Sequence, residues 1–428
     1  MSNKSFKGLR IGNYRITPLG LATLGVLLLL IICGVVLAIT NPFGSQDRAA
    51  VNVASNTAVP EEHTDKPAVA PTPAPTREPD PRSATIRSLG EIAMQQNLLF
   101  SAVSENTFNF DEMFSEISFV IGDADYTVAD VEGSLGGTAE YAGSGKMITP
   151  PSLIKTLKNC GVDMLTLAND HALDGGFADL QAAIQNCKDE GMDYVGAAAS
   201  AEERATPVIK DINGIKVGFL AYAESLNGNE KNESEDAVKY GVNLIAKSNA
   251  KKDIENARAA GADVLVCYVS WGEMLNYTAT SSQKQIAQAL AGWGVDVIIG
   301  YNPHVIQPAA WLESTDEAGN VHRTLCLGAP GNFLSDQYGK YDNGIIFEFT
   351  IQETEYGHFS ITKPTYIPTY VWRSEGESGK FNYRTLAIGQ WLEKDPEGIA
   401  YADAARMRQL WADIQKLMGS SVAECAAE

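Results

Sequence analysis

Between Ile16 and Ser45 the chain has no charged side chain. Within it, "LGLATLGVLLLLIICGVVLAI" supplies about 20 apolar positions, the length a helix needs to cross a bilayer. Lys4, Lys7, Arg10 and Arg15 precede the run and no acid accompanies them. Positive charge before a span holds the amino terminus inside. The pattern therefore predicts a cytoplasmic basic segment at 1–15 and a retained single-pass anchor at 16–40, with the rest outside the cell. A cleaved signal would have a shorter apolar core ending in small residues. A lipoprotein site at Cys33 would need a small residue where Ile32 stands. Residues 41–84, with "PAVAPTPAPTREPDPR", are rich in proline, alanine and threonine and lack apolar periodicity. They read as an extended, disordered extracellular linker.

From about Ile86 strand and helix patterns alternate. "DYTVADVE" reads as a strand, and "PPSLIKTLKNCG" as a helix with proline near its start and Gly161 after its end. "VDMLTLAND", "GFADLQAAIQNCKDEG" and "MDYVGA" continue as strand, helix and strand. "TPVIKDINGIKVGFLAY" is a hairpin turning on Asn213-Gly214. "AKKDIENARAAG" and "SSQKQIAQALAGWG" are helices, followed by the strands "ADVLVCYVSWG" and "VDVIIGYN". After Gly300 the chain becomes strand-rich, and an amphipathic helix spans roughly 399–418. This is an α/β chain: a mixed-sheet sandwich with flanking helices, in which the late hairpins build a second sheet. The α/β domain covers 85–371 and a carboxyl-terminal extension covers 372–428. Residues 224–242 are polar and asparagine-rich and predict a mobile loop.

The net charge of −20 and pI near 4.7 exclude a nucleic-acid role, because a phosphate backbone calls for basic patches. Among the six cysteines there is no CxxC and no zinc-ligand spacing. Outside the cell Cys267 and Cys326, both in strand-like runs, are the pair to test for a disulfide.

Ligands of α/β sheets sit beyond the carboxyl ends of the strands. Those ends deliver Glu91 in "LGE", Glu132 in "ADVEG", Asp170 and His171 in "LANDH", Ser270 in "SWG", His304 in "GYNPH" and Asn332 in "APGNF". A plain reading remains open beside this one. Asp170 and His171 suit a turn and helix cap, His304 suits a packed histidine, and Trp271 and Trp311 suit a core.

In order and wording these motifs resemble the bacterial capsule-synthesis family called CapA or PgsA, over residues 86 to 371. "DVEG" (130–133) stands for its NLEG, and "ANDHALD" (168–174) for its ANNHALD. "NGIKVGFLAY", "IIGYNPHVIQP" and "GNFLSDQ" also match in place. The resemblance implies a calcineurin-like metallophosphoesterase fold and a part in poly-gamma-glutamate synthesis. The departures fall on metal ligands. Glu91 replaces an aspartate, and Gln95, Ser270 and Tyr301 stand where the family has histidines.

What remains implies Glu91, Glu132, Asp170 and His304 as ligands of at most one hard divalent cation, Mn, Mg or Ca. His171 would be the transition-state stabiliser, and Asn169, Trp271, Tyr301, Asn302 and Asn332 the substrate contacts. The implied partners are membrane-embedded synthase or export subunits and an anionic polymer. Three functions compete: a membrane-anchored accessory component that binds or assembles, a single-metal hydrolase at the cell surface, and a purely structural wall protein.

Overall fold

Unbroken apolar runs become strands buried on both faces, the usual state of parallel strands beneath helices. The computed structural model describes residues 80–428 except 247–248, 316–318, 340, 356, 377–378, 394–399, 420–421 and 425–428, together with 10–11 and 14–15. The expected anchor at 16–40 and the linker up to residue 79 lie outside the described residues. Among the described residues no helix is long and apolar enough to cross a membrane. The chain from Arg77 onward is one unit with a core of its own.

Strands β1 (Ser83–Ala93), β2 (Tyr126–Glu132), β3 (Met164–Thr166) and β4 (Asp193–Val195) lie parallel in the spatial order β4-β3-β2-β1. A second sheet starts with the hairpin β5 (Val208–Ile212) and β6 (Ile215–Ala223). Its turn residues Asn213 and Gly214 have φ of 53° and 79°, the left-handed geometry an Asn-Gly pair tolerates. Parallel strands β7 (Val264–Ser270) and β8 (Val297–Tyr301) follow. The hairpin of β9 (Ile306–Thr315) and β10 (Val321–Pro330) then completes the order β5-β6-β7-β8-β10-β9.

The last long strands, β11 (Asn343–Glu355), β12 (His358–Glu375) and β13 (Phe381–Ala387), return to the first sheet, where β11 lies antiparallel to β1. Of the late hairpins, β9–β10 thus belongs to the second sheet, whereas β11 to β13 extend the first. β13 also carries the first sheet past residue 371.

Alternation along β7 shows how the layers assemble. Val264, Val266 and Tyr268 enter the core between the sheets. Leu265, Cys267 and Val269 enter a second core beneath helices α3 (Ala250–Ala259) and α4 (Ser281–Gly292), and the helices α1 (Ser152–Asn159) and α2 (Phe177–Asp189) cover the other sheet. The period of two makes one strand serve both layers, and each large apolar side chain so buried contributes about 1.5–3 kcal/mol. The rings of Tyr126 and Phe219 stack across the sheets with centroids 5.3 Å apart.

The final helix α5 (Tyr401–Met418) docks on this body. Asp403 Oδ1 accepts from the Tyr370 hydroxyl at 2.7 Å and the Tyr338 hydroxyl at 3.0 Å, and Arg406 Nη2 lies 2.9 Å from Asp342 Oδ1.

Cys267 and Cys326, the pair to test for a disulfide, are not bridged, and both are free thiols. Cys267 is in register with Ile298, and Ile298 with Cys326. A whole strand therefore separates them, about 10 Å at two strand spacings, against a limit of about 7 Å between bridged Cα atoms.

The turn following β2 is fastened by Asp179, a fully buried residue in the first turn of α2. Its carboxylate accepts from the amides of Gly136 (3.2 Å), Thr138 (2.7 Å) and Ala139 (3.1 Å), the Thr138 hydroxyl (2.7 Å) and the Ser134 hydroxyl. Burial alone would raise its pKa, but the hydrogen bonds from Ser134 and Thr138 outweigh burial and hold the carboxyl below its usual value. Asp179→Ala strands these donors and is expected to cost about 3 kcal/mol, measured by urea unfolding. In the native protein this contribution is complete above the unfolded-chain pKa of about 4 and is lost as pH falls through the lower folded-state value. Asp179→Asn should flatten that acid limb.

Candidate functional site

The carboxyl ends of β1, β2 and β8 converge where the sheets meet. The register of β1 against β2 shifts between Leu89 and Ile92, an irregularity of the kind that re-aims a side chain. Gly90, at φ +146°, lets the backbone pass close, since a Cβ there would lie 2.9 Å from Asp130 and from the Tyr301 ring. Glu91 is thereby delivered into the interior, 2% exposed. Its Oε1 accepts from the His304 backbone N–H at 3.0 Å.

His304, in the left-handed region at φ +57° and also 2% exposed, follows Pro303 after β8. Its Nδ1 lies 2.9 Å from Asn332 Oδ1. Asn332 donates from its amide nitrogen to Tyr341 O at 2.8 Å, which leaves Oδ1 as an acceptor. That assigns the Nδ1 proton and turns Nε2 toward Glu132 Oε1, 3.7 Å away.

A second group adjoins the first. His171 Nδ1 is 2.6 Å from Asp174 Oδ2, and its Nε2 is 3.5 Å from Glu132 Oε1 and 3.8 Å from Asp170 Oδ2. Asp174, buried, also accepts from Met147 N at 2.7 Å and Asn229 Nδ2 at 2.7 Å. Asn227 donates to Asp170 Oδ2 at 3.0 Å and lies 3.4 Å from His171 Nε2. Glu132 is common to both clusters of possible ligands, Glu91–Glu132–His304 and Glu132–Asp170–His171. In the second, Asp174 and Asn227 already engage the histidine and the aspartate. The first is the more deeply buried, and it contains Glu132 Oε2, a buried oxygen with no hydrogen-bond partner. An orphaned carboxylate oxygen beside a second carboxylate and an imidazole fits one hard cation.

Burial, opposed by His304 and reinforced by Glu132, raises Glu91 to about 7. Burial likewise raises Glu132, against the pull of His304. For His304 burial favours the neutral ring, but Glu91 and Glu132 prevail and lift it to about 9. His171 also reaches about 9, where the Asp174 hydrogen bond and the charges of Asp170 and Glu132 overcome burial.

The other residues named from sequence divide. Asn169 is buried, donates to Val131 O at 3.1 Å and accepts from Gly133 N at 3.1 Å and His171 N at 3.0 Å. Tyr301 is buried, its hydroxyl 3.3 Å from Leu89 O and its ring stacked on Tyr268. Asn302 donates to the carbonyls of Trp271 and Gly272 at 3.1 Å each. Trp271 is 2% exposed and donates its indole N–H to Gly328 O at 3.0 Å. Gln95 Oε1 accepts from Asp336 N at 2.7 Å and is a loop fastener. A cleft of about 620 Å³ opens next to Asp170, lined also by Asn227, Ser270, Trp271, Glu273 and Asn302.

Asp174, Asn227 and Asn229 were not singled out from sequence. Asp174 had a signal, three residues after His171 inside "ANDHALD". Asn227 and Asn229 had none, lying in the stretch expected to be a mobile loop. That stretch instead lies against the cluster through both asparagines.

Behind the site β8 passes so close to Trp271 that a Cβ on Gly300 would lie 2.0 Å from Gly328 O and 2.1 Å from the indole nitrogen. Gly300→Ala is expected to lower stability by about 3 kcal/mol and to shift the Trp271 emission, both readable in one denaturant titration followed by fluorescence.

A profile of the family described as bacterial capsule synthesis protein PGA_cap matches residues 85–337. The capsule biosynthesis protein CapA of Bacillus anthracis is 25% identical over 272 residues, covering 62% of this chain and 62% of that protein. The PGA biosynthesis protein CapA of Bacillus subtilis is 23% identical over 261 residues, 59% of this chain and 64% of the relative. The match thus spans less than two thirds of either relative. Among solved structures, the calcineurin-like phosphoesterase YfkN of Bacillus subtilis is similar at 15% identity and a TM-score of 0.44, covering 79% of this chain and 99% of that one. The NAD nucleotidase of Haemophilus influenzae is similar at 10% identity and a TM-score of 0.43, covering 81% and 64%.

Proposed function

The chain belongs to the family of bacterial capsule synthesis proteins, and from that premise we propose that it is a membrane-anchored, outward-facing accessory component of capsule or poly-gamma-glutamate production whose strand-end cluster holds one divalent cation. The observation that carries the site is the orphaned Glu132 Oε2, buried beside Glu91 and His304. Its partners would be synthase or export subunits in the same membrane and the anionic polymer itself.

Glu91, Glu132 and His304 would hold the cation, with Asn332 keeping His304 Nε2 turned inward. Bound there, a hard cation supplies the positive charge with which an acidic protein can hold a carboxylate or phosphate. Trp271, Asn302 and Asn227 shape the cleft beside it, and the buried walls keep water away from the cluster. A second reading, surface hydrolysis of a phosphoester, is favoured by one observation. His171 is clamped to Asp174 at 2.6 Å with Nε2 facing the cluster, an arrangement that keeps an imidazolium ready to stabilise charge on a reacting oxygen.

Elemental mass spectrometry of the chain from Arg77 onward, after incubation with Mg, Mn or Ca, is expected to find close to one equivalent of metal. Glu132→Gln and His304→Ala should each weaken binding at least tenfold. A parent protein free of metal in all three conditions sinks the cation reading. Binding competes with protons on Glu91, near 7, and His304, near 9, so affinity should rise steadily between pH 6 and pH 9, followed by calorimetry. If the second reading holds, His171→Asn lowers phosphodiester turnover by about 10²-fold or more with metal content unchanged.

A further inference from the structure

Along α5 the residues Arg406, Leu410, Ile414 and Leu417 recur at the three- and four-residue spacing that places them on one helix face. Together they form one wall of a cavity of about 200 Å³, where a single water needs only roughly 10–15 Å³. The other walls include His304, from the loop after β8, and Asn343, the first residue of β11. His304 therefore borders both this cavity and the carboxylate cluster. The charge differs from that of the larger cleft, which is lined by Asp170, Glu224 and Glu273 and by no lysine or arginine among the described residues. Here Arg406 supplies a guanidinium. Asp413 also lines the cavity, but it is exposed and accepts from Gln409 Nε2 at 3.0 Å.

Arg406 supplies a second, independent observation. Its Nη2 donates to Asp342 Oδ1 at 2.9 Å, while its Nε is buried without a hydrogen-bond partner. A guanidinium carries five N–H donors in a rigid fork, and leaving a buried donor unpaired is unfavourable. Docking of the helix does not account for that unused capacity. Asp403 already anchors α5 to Tyr370 and Tyr338, and Met407, Leu410, Ile414 and Met418 are buried beneath it. Arg406 also lies beyond residues 85–337, the part that matches the family profile.

We propose that this cavity binds the carboxylate of a small aliphatic acid, with Arg406 as the residue that holds it. The planar fork of the guanidinium matches a carboxylate. The charge count favours the same class. One guanidinium, already shared with Asp342, balances at most a single negative charge, whereas a phosphate monoester carries about −1.5 to −2 near neutral pH. The hydrocarbon part of the acid lies against Leu410, Ile414 and Leu417, and the Asn343 amide adds a neutral polar contact. The carboxyl-terminal extension thereby contributes a ligand-binding group next to the strand ends. This inference uses neither Glu91 nor Glu132 and does not depend on the cation reading.

The test titrates hexanoate, hexanamide and inorganic phosphate into the chain from Arg77 onward by calorimetry, with Mn and with EDTA. Hexanoate should bind at one equivalent, at least tenfold more tightly than hexanamide or phosphate, and equally well with Mn and with EDTA. Arg406→Gln should weaken hexanoate at least tenfold. That substitution also leaves the buried Asp342 unpaired, so Asn343→Asp provides a second arm. It keeps the side-chain volume, sets a negative charge against the ligand and should weaken hexanoate at least tenfold. The metal content of both variants should equal that of the parent. Hexanoate that fails to bind, that binds no more tightly than hexanamide, or that ignores both substitutions overturns the proposal whatever the metal content. Phosphate as the tighter ligand overturns the assignment to a carboxylate. Hexanoate binding that needs Mn and ignores Arg406→Gln puts the anion on the cation, which overturns the proposal and supports the cation reading. Binding as expected in a protein that takes up no metal supports the proposal and sinks the cation reading alone.

Discussion

Between the two sheets, the backbone N–H of His304 donates to Glu91 Oε1 at 3.0 Å, and the site is organised around this bond. It ties the end of a strand in one sheet to the end of a strand in the other, where neither carboxylate nor imidazole has bulk water to solvate it. Burying Glu91 and Glu132 side by side is costly. Proton retention on Glu91 and positive charge on His304 reduce that cost, and the same need for positive charge makes the cluster receptive to a cation.

Much of the surrounding structure maintains this arrangement. Asn332 orients the His304 ring, Asn169 fastens the turn after Glu132 to His171, and Asp179 holds the next few residues with five hydrogen bonds. Tyr301 packs its ring against Tyr268 with centroids 6.0 Å apart. Gln95 holds the backbone of Asp336. These two residues thus have packing and fastening roles, and the candidate ligands gather around Glu132.

The strand ends were legible because a parallel strand is an unbroken apolar run, and the first polar residue after it is displayed at the sheet edge. Glu91, Glu132, Asp170, His171 and His304 were all found in this way, and the structure brings them into two adjoining clusters. Asn169 and Asn332 were legible as positions, but the groups they hold across the site, Val131 and Gly133 for Asn169 and the His304 ring for Asn332, were not. Asn227 and Asn229 were not legible, since a polar stretch without periodicity carries no sign of what it lies against. Whether Cys267 and Cys326 could pair was not legible for a related reason. Two cysteines in strands carry no information about how many strands stand between them.

By itself the sequence determined the alternation of strands and helices, the hairpin at Asn213-Gly214, the acidic character and the side chains placed at the strand ends, because each follows from local periodicity, turn geometry or composition. Only the tertiary structure decided that β11 to β13 return to the first sheet with β11 beside β1, that the polar stretch after Glu224 lies against the cluster, and that α5 docks through Asp403 and Arg406. Those outcomes depend on pairings between residues from tens to hundreds of positions apart, where the energy lies in contacts that no local window of sequence contains.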